Sequence, residues 1–169
     1  MNITIKQATA ADIPIIEDIL AGAVAWMDDI GQHQWEYKNV KWEAISQFYG
    51  CSPTDFYIAF ADRQSGDGQS AACMALFDHD PDQWPDIAPG ESLYLHKVAV
   101  RRAFAGQGVS QALINFAKDE AKKRGIATLR LDTHPDRHKL RAVYERLGFV
   151  CVEETVLGKY ATALYVCEL

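Results

Sequence analysis

One stretch constrains the fold more than any other: Glu91 to Arg124, reading ESLYLHKVAV, RRAFAGQGVS and QALINFAKDEAKKR. Leu93 to Val100 is apolar and β-branched with no Gly or Pro, which predicts a buried strand. Val109, Ala112, Leu113, Phe116 and Ala117 recur at helical spacing and place one apolar stripe on a helix. Lys122, Lys123 and Arg124 suit the C-terminal end of that helix dipole, and Gly125 is able to take the left-handed cap. Between strand and helix, Gly106 and Gly108 let the backbone turn sharply without a Cβ in the way. Such a turn presents main-chain N–H groups at a helix N-terminus, an anion site suited to a pyrophosphate. The spacing is neither GxGxxG nor a Walker loop, since no Lys-Ser or Lys-Thr pair follows Gly108. Crossover glycines also answer purely steric needs, so spacing alone leaves both readings open.

A chain of 169 residues is expected to form one domain spanning 1–169, with a core that needs no staples. Its 49% hydrophobic and 24% charged content is ordinary for a soluble globular protein. The net charge of −6 lacks the basic footprint of a nucleic-acid binder and is compatible with cationic amine substrates. Cys51, Cys73, Cys151 and Cys167 form no CxxC and no metal-ligand spacing with the five histidines, so no metal is expected. Cys73, Cys151 and Cys167 lie in apolar strand-like runs and read as small buried thiols. Neither a secretory leader nor 18 consecutive apolar residues is present, which predicts a cytoplasmic, reduced protein without a membrane partner.

In chain order, Asn2 to Ala8 alternates as a strand. Thr9 to Asp12 resembles a capping box opening a helix through about Asp29, with Ile13, Ile16, Leu20, Ala23 or Val24, and Met27 as its buried stripe. Gly31 ends that helix. Asn39 is the expected cap of a second helix, with Trp42, Ile45, and Phe48 or Tyr49 inward and Gly50 as its stop. Asp55 to Ala61 and Ser70 to Asp78 read as strands joined by a Gly-rich hairpin loop over residues 63–69. His79 to Gly90 carries three of the six prolines and Trp84; a loop of that length beside the central strand is more often functional than decorative. After the central helix, Ile126 to Thr133 is a strand, and Asp136 caps a short helix on which Leu140, Val143, Tyr144 and Leu147 share a face. Phe149 to Val156 and Tyr160 to Glu168 close the chain as a hairpin through residues 157–159. The order β-α-α-β-β-β-α-β-α-β-β predicts a mixed α/β fold, one central sheet flanked by helices on both faces.

VAVRRAFAGQGVSQALINFA resembles the acetyl-CoA loop of the GNAT N-acetyltransferases, whose pattern is Gln or Arg, two residues, Gly, one residue, then Gly or Ala. Gly108 falls on the central Gly, while Ala105 and Ser110 depart from the flanking positions. A second stretch, LRLDTHPDRHKLRAVYERLGF, is similar to the family segment in which an Asn precedes a helix ending Tyr-Glu-Lys-Leu-Gly-Phe; Arg137 stands where the Asn is expected. The resemblance covers roughly residues 3 to 168, and the family shares the element order above. It implies a GNAT fold and transfer of an acetyl group from acetyl-CoA to a primary amine by direct attack. By the same resemblance Gly106, Gln107, Gly108, Val109 and Ser110 would hold the pyrophosphate through the main chain. Val98, Ala99 and Val100 would offer strand N–H groups to the thioester and pantetheine, because in the family the central strand and its neighbour splay apart. Arg101, Arg102 or Gln107 would compensate for the missing loop Arg, and Arg137 or Lys139 would meet a CoA phosphate. Tyr144 would be the general acid that protonates the departing thiolate.

That assignment is chemically reasonable, because a phenol near pKa ~10 and a thiol near ~8.5 need only modest tuning. The plain alternative makes Tyr144 part of the apolar stripe with its hydroxyl on a backbone carbonyl. An amine of pKa ~10.4 arrives protonated, so a base is required. The candidates are His96, which has the best intrinsic pKa, Glu91, Asp132 and His134. Alternation would point His96 with Tyr94 and Val98. Trp26, Trp35 and Trp84, with Asp28 and Asp132, would wall a pocket for a cationic or partly apolar amine. The alternative from another class is a non-catalytic acyl-CoA-binding module on the same fold; a protein lysine or N-terminal acetyltransferase differs by acceptor only. A homodimer is compatible with either.

Overall fold

The structure, a computed structural model, describes residues 1–62, 68–157 and 160–169. Its strands are β1 (Asn2–Gln7), β2 (Phe56–Asp62), β3 (Gln69–Phe77), β4 (Leu93–Val100), β5 (Thr128–Thr133), β6 (Val150–Leu157) and β7 (Tyr160–Glu168). The helices are α1 (Ile13–Asp29), α2 (Trp42–Tyr49), α3 (Val109–Lys123) and α4 (His138–Arg146). The predicted order is the observed one, and the central strand and last strand have the predicted bounds. Of the two expected hairpin turns, 63–69 and 157–159, residues 63–67 and 158–159 lie outside the described residues, Gln69 opens β3 and Leu157 ends β6.

The strands form one seven-stranded, mostly antiparallel sheet of order β1-β2-β3-β4-β5-β7-β6. Parallel pairing joins β4 to β5 at Leu93 with Leu129 and Tyr94 with Arg130. The chain falls into two compact units, residues 1–75 with 97–113 and residues 76–96 with 114–169, so the boundary passes through β3, β4 and α3. No helix among the described residues is long and apolar enough to cross a membrane.

In the first unit, the Asp12 carboxylate accepts hydrogen bonds from the Thr9 main-chain N–H and hydroxyl, both at 2.8 Å, across a 3-10 turn that leads into α1. The buried face of α1 is Ile16, Ile19, Leu20, Val24 and Met27, each contributing about 1.5–3 kcal/mol by leaving water. Ile13 is only half-buried and Ile19 takes its place, which turns the apolar face slightly from the expected one. Helix α2 is not capped by Asn39, which lies within a 3-10 turn, Tyr37–Val40. Its Trp42 N–H donates instead to the Glu17 carboxylate of α1 at 2.6 Å. A tertiary contact has replaced a local cap, and no local sequence rule describes that. Ile45 is buried and Phe48 is 69% exposed, so of the two candidate aromatics Tyr49 is the inward one. Gly50 stops α2 in the left-handed conformation, φ 60°.

The second unit buries Leu93, Tyr94, Leu129, Leu131, Phe149 and Tyr165. On α3 the second unit buries Ile114, Ala117 and Ala121, with Phe116 half-buried beneath the Lys123 ammonium, while Val109 and Leu113 are buried in the first unit. Arg137, not Asp136, occupies the cap position of α4. The Asp136 N–H meets the His134 ring at 3.2 Å, and this turn displaces the expected Asp cap. Cys73 and Cys167 are buried as expected, whereas Cys151 is half-buried because β6 is the outermost strand of the sheet.

Candidate functional site

The glycine loop belongs to the first unit. After β4 the chain makes a 3-10 turn, Arg102–Phe104, anchored by the buried Phe104 ring. Gly106 and Gly108 both adopt left-handed backbone, φ 73° and 81°, and Val109 is buried as the first residue of α3. A Cβ added at either glycine would meet nothing within 4 Å, so backbone conformation rather than space demands glycine there. The Gly108 carbonyl accepts the Ala112 N–H at 3.0 Å, which starts the helical ladder. The Gln107 N–H donates to the Phe104 carbonyl at 3.4 Å, and α3 opens beside exposed Gly106, Gln107 and Gly108 and half-buried Ser110.

The side chains expected to help the loop are engaged elsewhere. Arg101 Nε donates to the Ser70 carbonyl at 2.8 Å, one terminal nitrogen reaches the Ser70 hydroxyl, and the other pairs with Asp18 at 2.6 Å. Gln107 donates to the Ala103 carbonyl at 2.9 Å. The Arg102 guanidinium lies 4.4 Å from the centre of the Trp26 ring.

Within β4, Lys97 has φ 53°, and it is the one non-glycine residue with positive φ among the described residues. This interrupts the two-residue alternation after His96, so Val98 no longer shares a face with His96 by simple period. Val98 and Val100 are half-buried and Ala99 is buried. The Lys97 ammonium stands 4.8 Å from the Trp35 ring centre and 5.7 Å from that of Tyr49.

The expected acid and the candidate bases lie in the second unit. His96 Nε2 is 2.9 Å from Asp80 Oδ2, with side chains only 11% and 7% exposed. The His96 ring also packs on Phe77, centroids 5.3 Å apart. Asp132 completes a group in which one ligand-type atom from each of Asp80, His96 and Asp132 lies within 4.8 Å of the others. It is the group among the described residues with the composition and closeness to hold a metal ion, although the Asp80–His96 contact is already satisfied without one. Glu91 is exposed in the bend before β4, and His134 lies against the Asp136 N–H. Trp84 stacks under the Arg130 guanidinium at 4.5 Å, and Arg130 donates to Ser92 at 3.0 Å. Each tryptophan expected to line an acceptor pocket therefore already carries a cation of its own chain on one face. Asp28 is paired with His33 at 2.7 Å on the surface.

Tyr144 is buried on α4 between Phe149 and Tyr165, at centroid distances of 5.9 and 6.3 Å. Burial pushes its phenol up to about 12; the Arg137 guanidinium opposes the rise and the Asp132 carboxylate adds to it. Half-buried Arg137 is itself held below its ordinary range by desolvation. Tyr144 thus keeps its proton at neutral pH, and Arg137 is the group that makes the proton easier to give.

Asp80 is the partner of His96 that sequence reasoning missed. Its signal was present, since it lies in the Pro-rich loop flagged as functional, but nothing local pairs an Asp with a His sixteen residues on.

The sequence pattern of the acetyltransferase (GNAT) family is matched by residues 26–149. The chain is 29% identical to the uncharacterized N-acetyltransferase YesJ of Bacillus subtilis over 146 residues, 84% of this chain and 78% of that protein. Among solved structures, a GNAT-family acetyltransferase from Listeria monocytogenes superposes with a TM-score of 0.73 at 24% identity, covering 99% of this chain and 95% of that one. The PaiA N-acetyltransferase of Thermoplasma acidophilum, solved in complex with coenzyme A, gives a TM-score of 0.73 at 20% identity over the whole of both chains.

Proposed function

This chain belongs to the GNAT acetyltransferase family, and on that premise we propose that it moves the acetyl group of acetyl-CoA to a primary amine by direct attack, as one catalytic domain. The observation that carries the reading is the turn at Gly106 and Gly108, whose two left-handed residues lead straight into α3. Main-chain N–H groups from Gly106 to Ser110 hold the pyrophosphate, and they need no side chain of defined identity. Ala105 and Ser110 are therefore tolerable departures. Arg101 is not counted among the phosphate ligands, because Ser70 and Asp18 already occupy its guanidinium. Strand N–H groups at Val98 to Val100 receive the thioester oxygen and pantetheine.

His96 is the base and Tyr144 the acid. His96 takes one proton from the ammonium form of the acceptor, giving the neutral amine. The amine nitrogen forms its bond to the thioester carbonyl carbon, the carbon–sulfur bond breaks, and Tyr144 protonates the departing thiolate. The nitrogen sheds its second proton, which returns through water to the Tyr144 phenolate. One proton is released overall, from His96. Asp132 supplies a carboxylate for the incoming ammonium. Burial holds the Tyr144 phenol at about 12, above a thiol at ~8.5, and without the Arg137 guanidinium it would stand higher still.

The reading is tested by following free thiol release from acetyl-CoA against a panel of small amines and peptide N-termini. Turnover with at least one acceptor is expected. Tight CoA binding with no turnover across the panel would favour a binding module.

A further inference from the structure

We propose that the acceptor amine also carries a carboxylate, as an amino acid does, and that Arg130 is the residue that binds it. The proposal rests on the acetyl-transfer reading, with Asp132 receiving the ammonium. Arg130 and Asp132 are alternate residues of β5, both half-buried among the buried Leu129, Leu131 and Thr133. They therefore share one face of the strand, from Cα positions about 6.6–6.8 Å apart, a span that one small molecule bridges. On the neighbouring strand, Tyr94 is the register partner of Arg130, and a ligand-type atom of His96 lies within 4.8 Å of one of Asp132.

Arg130 is held in place but not neutralised. Its Nε donates to the Ser92 hydroxyl at 3.0 Å, and its guanidinium lies 4.5 Å from the centre of the Trp84 ring. Among the described residues no carboxylate pairs with it, whereas Arg101, Arg124 and Arg141 pair with Asp18, Glu120 and Glu154. Two polar atoms of its neighbours share that condition. Trp84 Nε1, on the ring the guanidinium covers, and the Tyr94 hydroxyl are buried without a hydrogen-bond partner. The Tyr94 phenol feels the Ser92 hydroxyl and the Arg130 charge, yet no group completes a hydrogen bond to it. Buried polar groups are nearly always paired, so a fixed cation beside two orphaned donors points to an acceptor that arrives with the ligand. A carboxylate fits, because the guanidinium edge takes its two oxygens as a fork. A plain ammonium approaching Asp132 would be repelled by Arg130, while an amino acid presents each of its charges to the opposite one. A structural water would satisfy the two orphaned atoms as well, but would give Arg130 no part in choosing the acceptor.

The test follows thiol release from acetyl-CoA with the protein amino acids, their amides and their decarboxylated amines. For the best acceptor, kcat/KM is expected to favour the carboxylate form at least about tenfold, because the analogues leave the guanidinium unpaired. A carboxylate-free acceptor within about tenfold of the best amino acid overturns the proposal and leaves acetyl transfer standing. No turnover of any acceptor overturns the acetyl-transfer reading and the proposal with it. In Arg130→Gln, KM for the amino acid should rise at least about tenfold with CoA affinity unchanged, and the preference over the amide should disappear. An Arg130 that only braces the sheet would leave that preference intact, and an intact preference overturns the assignment. Should Arg130→Gln fail to fold, the preference of the wild-type protein decides alone.

Discussion

The Lys97 ammonium stands 4.8 Å above the centre of the Trp35 ring while the Lys97 backbone holds φ 53°. A left-handed non-glycine residue costs on the order of 1–2 kcal/mol, and two cation–π contacts of about 0.5–1 kcal/mol each offset it. Lys97→Gly removes both the cost and the contacts, so its stability should stay within about 1 kcal/mol of wild type. Lys97→Val loses the contacts and puts a β-branched residue in the disfavoured region; a loss of about 1–3 kcal/mol is expected in urea unfolding. Equal midpoints for the two variants would show that the backbone at Lys97 is not strained.

Arg101 should act on stability rather than on CoA. Removing its guanidinium in Arg101→Ala strands the Ser70 carbonyl and leaves Asp18 unpaired. A loss of about 1–3 kcal/mol is expected, mostly from the charge-assisted bond to Ser70, since Asp18 is largely exposed. CoA affinity by titration calorimetry should change by less than about threefold, or ~0.6 kcal/mol. A tenfold weaker CoA complex with intact stability would restore Arg101 as a phosphate ligand.

Gly108→Ala tests whether the glycine turn holds the pyrophosphate, as proposed. At φ 81° an alanine is strained whatever the space around it. Stability should fall by about 1–2 kcal/mol, and CoA affinity should fall with it as the turn relaxes. Gly22 supplies the comparison: it lies within α1 with open space around it and no left-handed φ, so Gly22→Ala should gain up to about 1 kcal/mol.

Alkaline stability should carry the signature of Tyr144 and Cys73. Burial raises Tyr144 to about 12 and the Cys73 thiol from 9.0 to about 12. The folded protein therefore keeps protons that the unfolded chain gives up, and unfolding releases protons in that range. Stability is whole below about pH 9 and falls as pH rises to about 12. Tyr144→Phe should flatten the part of this slope above about pH 10, because phenylalanine has no proton to lose. The same variant should lower kcat by about 10²-fold with CoA affinity retained. Undiminished turnover would remove Tyr144 from the role of acid.

Much of the architecture is legible in the sequence. Strand β4 kept its predicted bounds because an apolar, β-branched run without Gly or Pro has few alternatives. The glycine loop was legible because positive φ at two nearby positions is a demand that glycine meets at least cost. Helix caps fared worse. Asn39 and Asp136 have the right chemistry at the right spacing, yet Glu17 from another helix and the His134 turn took those roles.

The sequence by itself determined the order of elements, the glycine turn before α3 and the tyrosine on α4, because periodicity, glycine placement and short motifs are local properties. The tertiary structure alone decided that Asp80 meets His96, that Arg101 belongs to Ser70 and Asp18, and that Lys97, Arg102 and Arg130 cover the tryptophans. The physical reason is that the partner of a charged side chain is whichever opposite charge, dipole or ring the folded backbone brings within about 3–6 Å. That choice follows from strand register and loop path, over separations of 16 to 83 residues, and no local pattern encodes it.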